Sequence, residues 1–336
     1  MSVATRPEPA DPPRPPAPAP DGAGAFEALC ARLSRQSVDK HFDAYADVEW
    51  DAPEHRVDSR DLRWELQDFD PVATTEWYRS QPPDVRSRLG LQRIAITMRT
   101  GWEFENVLQR GLLARAFWLE NGRPEFRYLH HEVIEESQHT MMFQELVNRA
   151  GVPAPGMPAF VKRAAERLVV PLARRAPALF FFFVLGGEEP IDYVQRRRLR
   201  AGIAHPLLER IIRIHVTEEA RHRSFARHYL EREIPRLHPV RRRTLAVAVP
   251  LLLGTMVRLM LDTPGGFARA NAIPPSVVRS GRRSPEQRAL VAGSVAGIRR
   301  LCAETGLLPR WARPLWRAMG VWDAPAPDGA PAAGRR

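Results

Sequence analysis

Two glutamate–histidine pairs have the type and spacing to do chemistry. In "HHEVIEESQHTMMFQE" (residues 130–145), Glu136 and His139 form an E-x-x-H pair, and Glu219 and His222 form the only other one in the chain. A three-residue step is one helical turn, so each pair presents a carboxylate and an imidazole on one side of a helix. Each also falls on an apolar stripe. The first runs through Leu129, Val133, Phe143 and Leu146, the second through Ile211, Phe225 and Tyr229. Turning such groups toward a core is costly, and a bound cation is the usual compensation. One pair alone would be a weak signal, because composition supplies about one by chance.

The interval to two upstream acids strengthens it. Glu105 stands 31 residues before Glu136, and Glu188 stands 31 residues before Glu219. The midpoints fall at "NGRP" (121–124) and "AGIAHP" (201–206), both turn signals. In an antiparallel hairpin, residues equidistant from the turn lie level. Glu105 should therefore face Glu136, and Glu188 should face Glu219, and two such hairpins make a four-helix bundle with carboxylates converging from all four helices. Helical phase puts Glu105 in a stripe with Leu91, Ala95, Met98, Trp102 and Leu112, while Glu103 shares a solvated face with Arg99, Asn106 and Arg110. Glu188 is favoured over Glu189 by its phase with Phe181, Leu185, Ile191 and Leu199, but Gly186, Gly187 and Pro190 disturb that helix and leave the choice open. His215 lines up with Glu219 and His222 over two turns and adds a third imidazole. Glu135, Glu218, His130 and His131 fall off the stripes and are expected at the surface. Leu108, Phe143, Phe182, Phe183 and Phe225 are the apolar neighbours expected to line a substrate pocket.

Four glutamates and three histidines without a thiolate make a hard donor set that favours iron or manganese over structural zinc. Seven ligands exceed the needs of one ion and imply two. A single glutamate from each of two helices, with Glu-x-x-His from the other two, is the pattern of di-iron carboxylate bundles.

The rest of the chain must position these residues. At 336 residues and 44% hydrophobic, it can bury a sizeable core. Helical period runs through 25–47, lapses in a Pro- and Asp-rich section from Val48 to Pro83, and dominates from Asp84 onward, with no alternating strand pattern and no glycine-rich phosphate loop. The expected fold is all-α, a ferritin-like four-helix bundle with additional N- and C-terminal helices. It spans 25–322 as one domain, with the metal-binding bundle at about 85–262 and Pro/Ala-rich tails at 1–24 and 323–336. Ser284, Pro285 and Gln287 read as N-cap, first turn and capping box of a late helix. Two cysteines, Cys30 and Cys302, are too few for a disulfide framework and point to a cytoplasmic protein. The net charge of +11 rests on 48 arginines and two lysines, the codon bias of a GC-rich genome, and no nucleic-acid partner is expected. The apolar stretches 178–187 and 245–257 are shorter than the ~20 residues that span a bilayer and are expected in the core.

"FENVLQRGLL" (104–113), "EESQHTMMF" (135–143), "EEPIDYVQR" (188–196) and "HVTEEARHRSFAR" (215–227) resemble the AurF-type di-iron N-oxygenases over roughly residues 30–260. The resemblance implies seven ligands at Glu105, Glu136, His139, Glu188, His215, Glu219 and His222. It also implies two irons, O2 as co-substrate, and oxygenation of an aryl amine nitrogen toward hydroxylamine and nitro products. A ferredoxin or reductase supplying electrons, and a homodimer, follow from the same resemblance. The alternatives are another di-iron carboxylate oxygenase acting on C–H bonds, or a ferritin-like protein that binds metal without catalysis. A radical-bearing reductase subunit is disfavoured by Phe143, which stands where that family carries its tyrosine.

Overall fold

The computed structural model describes residues 23–202 and 205–322, which contain helices and no strand. In chain order the helices are α1 (Ala23–Asp39), the single turn α2 (Glu76–Arg79), α3 (Pro83–Ala116), α4 (Pro124–Ala150), α5 (Ala159–Ala164), α6 (Val170–Arg175), α7 (Pro177–Ala201), α8 (Pro206–Glu233), α9 (Pro239–Leu261), α10 (Gly265–Ala270), α11 (Pro275–Arg283), α12 (Pro285–Ser294), α13 (Ala296–Glu304) and α14 (Arg313–Ala318). A π turn, Ala165–Val169, joins α5 to α6. The tails expected at 1–24 and 323–336 lie outside the described residues, except that Ala23 and Gly24 open α1.

Proline places many of these helices. It occupies the first helical position of α3, α4, α7, α8 and α9, where the missing N–H leaves no bond unmade. Gly151 (φ +60°) and Gly202 (φ +67°) end α4 and α7 in the left-handed conformation that only glycine adopts without strain. Ser284 caps α12 by accepting from the Gln287 N–H, but the Gln287 side chain donates to the Leu261 carbonyl instead of closing a capping box.

The hairpins α3–α4 and α7–α8 are the two most extensive helix pairings, and α4 against α8 and α3 against α7 complete the four-helix bundle. This is the all-α, ferritin-like arrangement expected. On each helix the polar ligand-type residues fall between two stretches of apolar core. One core holds Leu108, Leu129, Leu185 and Phe225; the other holds Met98, Met142, Ile212 and Val216. Helix α1 lies across α4 and α8, while α9 packs on α7 and α14 on α9. Helix α9 runs unbroken through Pro250, so the span from Pro239 is longer than its apolar run suggested. By length and composition alone it could cross a membrane, yet half of its most apolar window is buried inside the protein.

Candidate metal centre and its cavity

Glu105 on α3, Glu136 and His139 on α4, Glu188 on α7, and His215, Glu219 and His222 on α8 meet at mid-bundle, none more than 3% exposed. Their donor atoms form overlapping groups, each within 4.8 Å: Glu105, His139 and His215; Glu136, His139 and Glu219; Glu188, His215 and Glu219. His222 joins through Nδ1, 3.0 Å from Glu136 Oε1 and 3.1 Å from Glu219 Oε1. The structure also separates Glu188 from its neighbour. Glu189 turns outward to an ion pair with Arg227 beside Gly297. Pro190 and the two glycines do not break α7, and the glycines admit close packing: a Cβ on Gly187 would lie 1.9 Å from the Phe104 ring.

Each imidazole is oriented by a partner behind it. His139 Nε2 donates to Glu218 at 2.8 Å, leaving Nδ1 toward Glu136 and Glu219. His222 Nε2 donates to Glu135 at 2.8 Å, likewise leaving Nδ1 inward. His215 is reversed: Nδ1 donates to Gln195 Oε1 at 2.9 Å and Nε2 faces Glu105 and Glu219, each at 3.6 Å. The first two contacts cross the bundle, because the acid before each E-x-x-H glutamate orients the histidine of the other helix. Carboxylates behind imidazoles fix tautomer and ring direction, as in many metal sites. Glu135 and Glu218 are therefore not surface residues. Both are buried, and Arg221 bridges them at 2.9 and 3.5 Å. Glu103 also departs from expectation: its carboxylate accepts from the Met157 N–H and pairs with Arg99 and Lys162, tying α3 to α5. His130 and His131 stand outside the cluster, against the Phe126 carbonyl and Arg127.

The unmade bonds show whether a metal suits this site. Both Glu136 oxygens, His139 Nδ1, Glu188 Oε1 and Glu219 Oε2 are buried without a hydrogen bond. Such orphans are expensive when left bare, and lone pairs converging from carboxylates and imidazoles are what a divalent cation satisfies. The charges agree. Burial, reinforced by Glu219, pushes the Glu188 carboxyl well above the usual range, and burial raises Glu105. His139 and His222 are held well above the ordinary imidazole range because the surrounding carboxylates outweigh burial, which alone would lower them. The residues therefore fit metal binding coupled to proton release. One buried acid here escaped the sequence reading. Glu132, one turn before Glu136, is fully buried, and burial raises its carboxyl to about 8. Its phase with Tyr128 and Glu136 was the available signal.

A cavity of about 290 Å³ opens onto this centre at Glu105, Glu188 and His215. Its walls are almost wholly apolar, with Phe104, Val107, Phe143, Phe183, Ile191 and Met256 among them. Of the five expected pocket residues, Phe143 and Phe183 line it. Leu108, Phe182 and Phe225 do not; they are fully buried in the core, where Phe225 packs on Phe26, Tyr128 and Phe181. Phe143 also packs against His215, with ring centroids 5.2 Å apart. The tight fit of Gly187 against Phe104 gives a prediction. Gly187→Ala should push that ring into the cavity, cost about 1–3 kcal/mol of stability by overpacking and weaken binding of a small apolar aromatic probe, with metal content unchanged. Thermal melts, calorimetric titration and metal analysis measure the three effects. Unaltered probe binding would mean that Phe104 relaxes away from the cavity.

A helical bundle with this glutamate–histidine centre belongs to the ferritin-like metal proteins. More narrowly, the chain is a member of the p-aminobenzoate N-oxygenase AurF family, whose model matches residues 24–306, most of its length. That makes it a member of a di-iron oxygenase family. Uncharacterized protein MT0908 of Mycobacterium tuberculosis (strain CDC 1551 / Oshkosh) is 40% identical over 300 residues, covering 89% of this chain and 88% of the relative. Uncharacterized protein Mb0909 of Mycobacterium bovis is similar to the same extent.

Proposed function

We propose that this protein is a monooxygenase that oxygenates the nitrogen of an aryl amine, with Glu105, Glu136, His139, Glu188, His215, Glu219 and His222 holding two irons. The observation that carries the reading is the apolar cavity that ends on Glu105, Glu188 and His215. Two irons bound there would supply O2 activation, with electrons from a ferredoxin or reductase. The chain's own part is to position and to shield. Phe104, Phe143 and Phe183 give flat apolar surface against which an aromatic ring can lie, with its amine toward the three ligands. The same walls keep bulk water from the centre. Glu135, Glu218 and Gln195 hold the imidazoles in place from behind. A cytoplasmic homodimer is the expected setting.

The test is to reduce iron-loaded protein, admit O2 and offer 4-butylaniline, following O2 uptake and product mass. The expected result is amine-accelerated uptake and a product carrying added oxygen on nitrogen. Acceleration by alkanes or alkenes, with no effect of any aryl amine, would replace this reading by C–H oxygenation.

A further inference from the structure

The cavity mouth carries an exposed apolar and cationic face that the reaction does not use. Leu168 and Leu259 are 67% and 63% exposed yet also line the cavity, so they sit on its rim. Phe160, 72% exposed, lies one turn before the lining residue Ala164 and two before Leu168. Single exposed apolar residues are ordinary, but several around one opening are not. On α9 the stripe continues outward from Leu259 through Thr255, Leu251 and Val247 toward Val240.

The charge on this rim is one-sided. Residues 159–175, which form α5, the π turn and α6, carry Lys162, Arg163, Arg167, Arg174 and Arg175 against the single Glu166. Arg163 and Arg167 have no ion-pair partner among the described residues, and Arg258 adds a cation next to Leu259. Codon bias explains arginine but not Phe160 and Leu168 facing water between arginines. Of this segment's side chains only Ala173 is buried, so the segment lies on the surface over the cavity. A short basic amphipathic segment with large apolar side chains is the physical signature of a membrane-surface element.

We propose that the face formed by 159–175 and the outer side of α9 docks on an anionic lipid surface, which presents the cavity mouth to the bilayer so that a lipophilic substrate enters from the membrane. Phe160, Leu168 and Leu259 insert at the headgroup boundary, and the arginines meet anionic headgroups. An almost wholly apolar cavity suits a substrate that partitions into lipid. Contact is peripheral, because half of the apolar window of α9 is committed to the protein interior.

The experiment is co-sedimentation of the iron-loaded full chain with vesicles of phosphatidylcholine and phosphatidylserine, compared with phosphatidylcholine alone. Wild type should bind the anionic vesicles at least about tenfold more tightly, with affinity falling as salt rises. Phe160→Ser/Leu168→Ser should lose about tenfold or more, while Leu62→Ser, an exposed position outside the cavity lining, should bind like wild type. Unchanged circular dichroism and iron content keep a binding loss from being a folding loss. Wild-type binding that ignores phosphatidylserine, or a double variant that binds as well as wild type, overturns the proposal. So does a double variant whose only defect is loss of an acidic ferredoxin partner, which would assign the face to protein.

Discussion

Glu219→Ala is expected to strip the centre of metal while leaving the bundle folded. Glu219 Oε1 lies 3.1 Å from His222 Nδ1, 3.5 Å from His139 Nδ1 and 3.6 Å from His215 Nε2, so one side chain faces all three imidazoles. It also shares donor groups with Glu136 on one side and Glu188 on the other. His139 and His215 also belong to two groups each, but Glu219 is the one carboxylate shared between groups. Iron per chain should fall from about two to below one. The apolar cores on either side of the centre lose nothing, so far-UV circular dichroism should still report a helical protein. The decisive readout is linkage. Iron that binds the native state raises wild-type Tm by mass action, and that rise should vanish in the variant. Two irons retained with an undiminished rise would remove Glu219 from the centre.

The second large effect belongs to a residue outside the seven, which reaches the centre through His139. Glu218→Gln keeps the size of the side chain but removes the charge that holds the His139 Nε2–H, an interaction of 2.8 Å buried from water. The ring is then free to change tautomer or turn, and Nδ1 no longer points reliably at Glu136 and Glu219. Losing such a supporting carboxylate weakens metal binding about 10–100-fold, which corresponds to about 1.4–2.8 kcal/mol. Because the contacts cross, Glu135→Gln should weaken binding to a similar degree through His222. Competition with a chelator measures both. Affinities equal to wild type in the two variants would reduce these acids to a structural network around Arg221.

These two residues also mark where reading the sequence stops. Glu135 and Glu218 are one position, about 100° of helix, away from the ligand stripe, and a helix with one wet face would expose them. Helices α4 and α8 have no such face there. Helix α1 lies across both, the Phe42 N–H donates to Glu218, and the Ala44 N–H donates to Gln138. Contacts between residues 42–44 and positions up to 176 residues away leave no periodic trace in the sequence. The run of phenylalanines at 180–183 is a similar case. Four consecutive identical residues cover every face of a helix, so only the position of α3 and α9 decides that Phe183 lines the cavity and Phe182 the core.

By itself the sequence determined the helices, the hairpin pairing and the level at which carboxylates meet, because these depend on local period, proline and glycine placement, and equal distances from a turn. The tertiary structure decided which of two adjacent acids turns inward, since Glu188 and Glu189 differ by one step of helix and Arg227 on α8, with the backbone of α13 at Gly297 and Ile298, receives the outer one. It also decided what stands behind each imidazole and where the cavity opens, because both are made by helices that meet only after the bundle has formed.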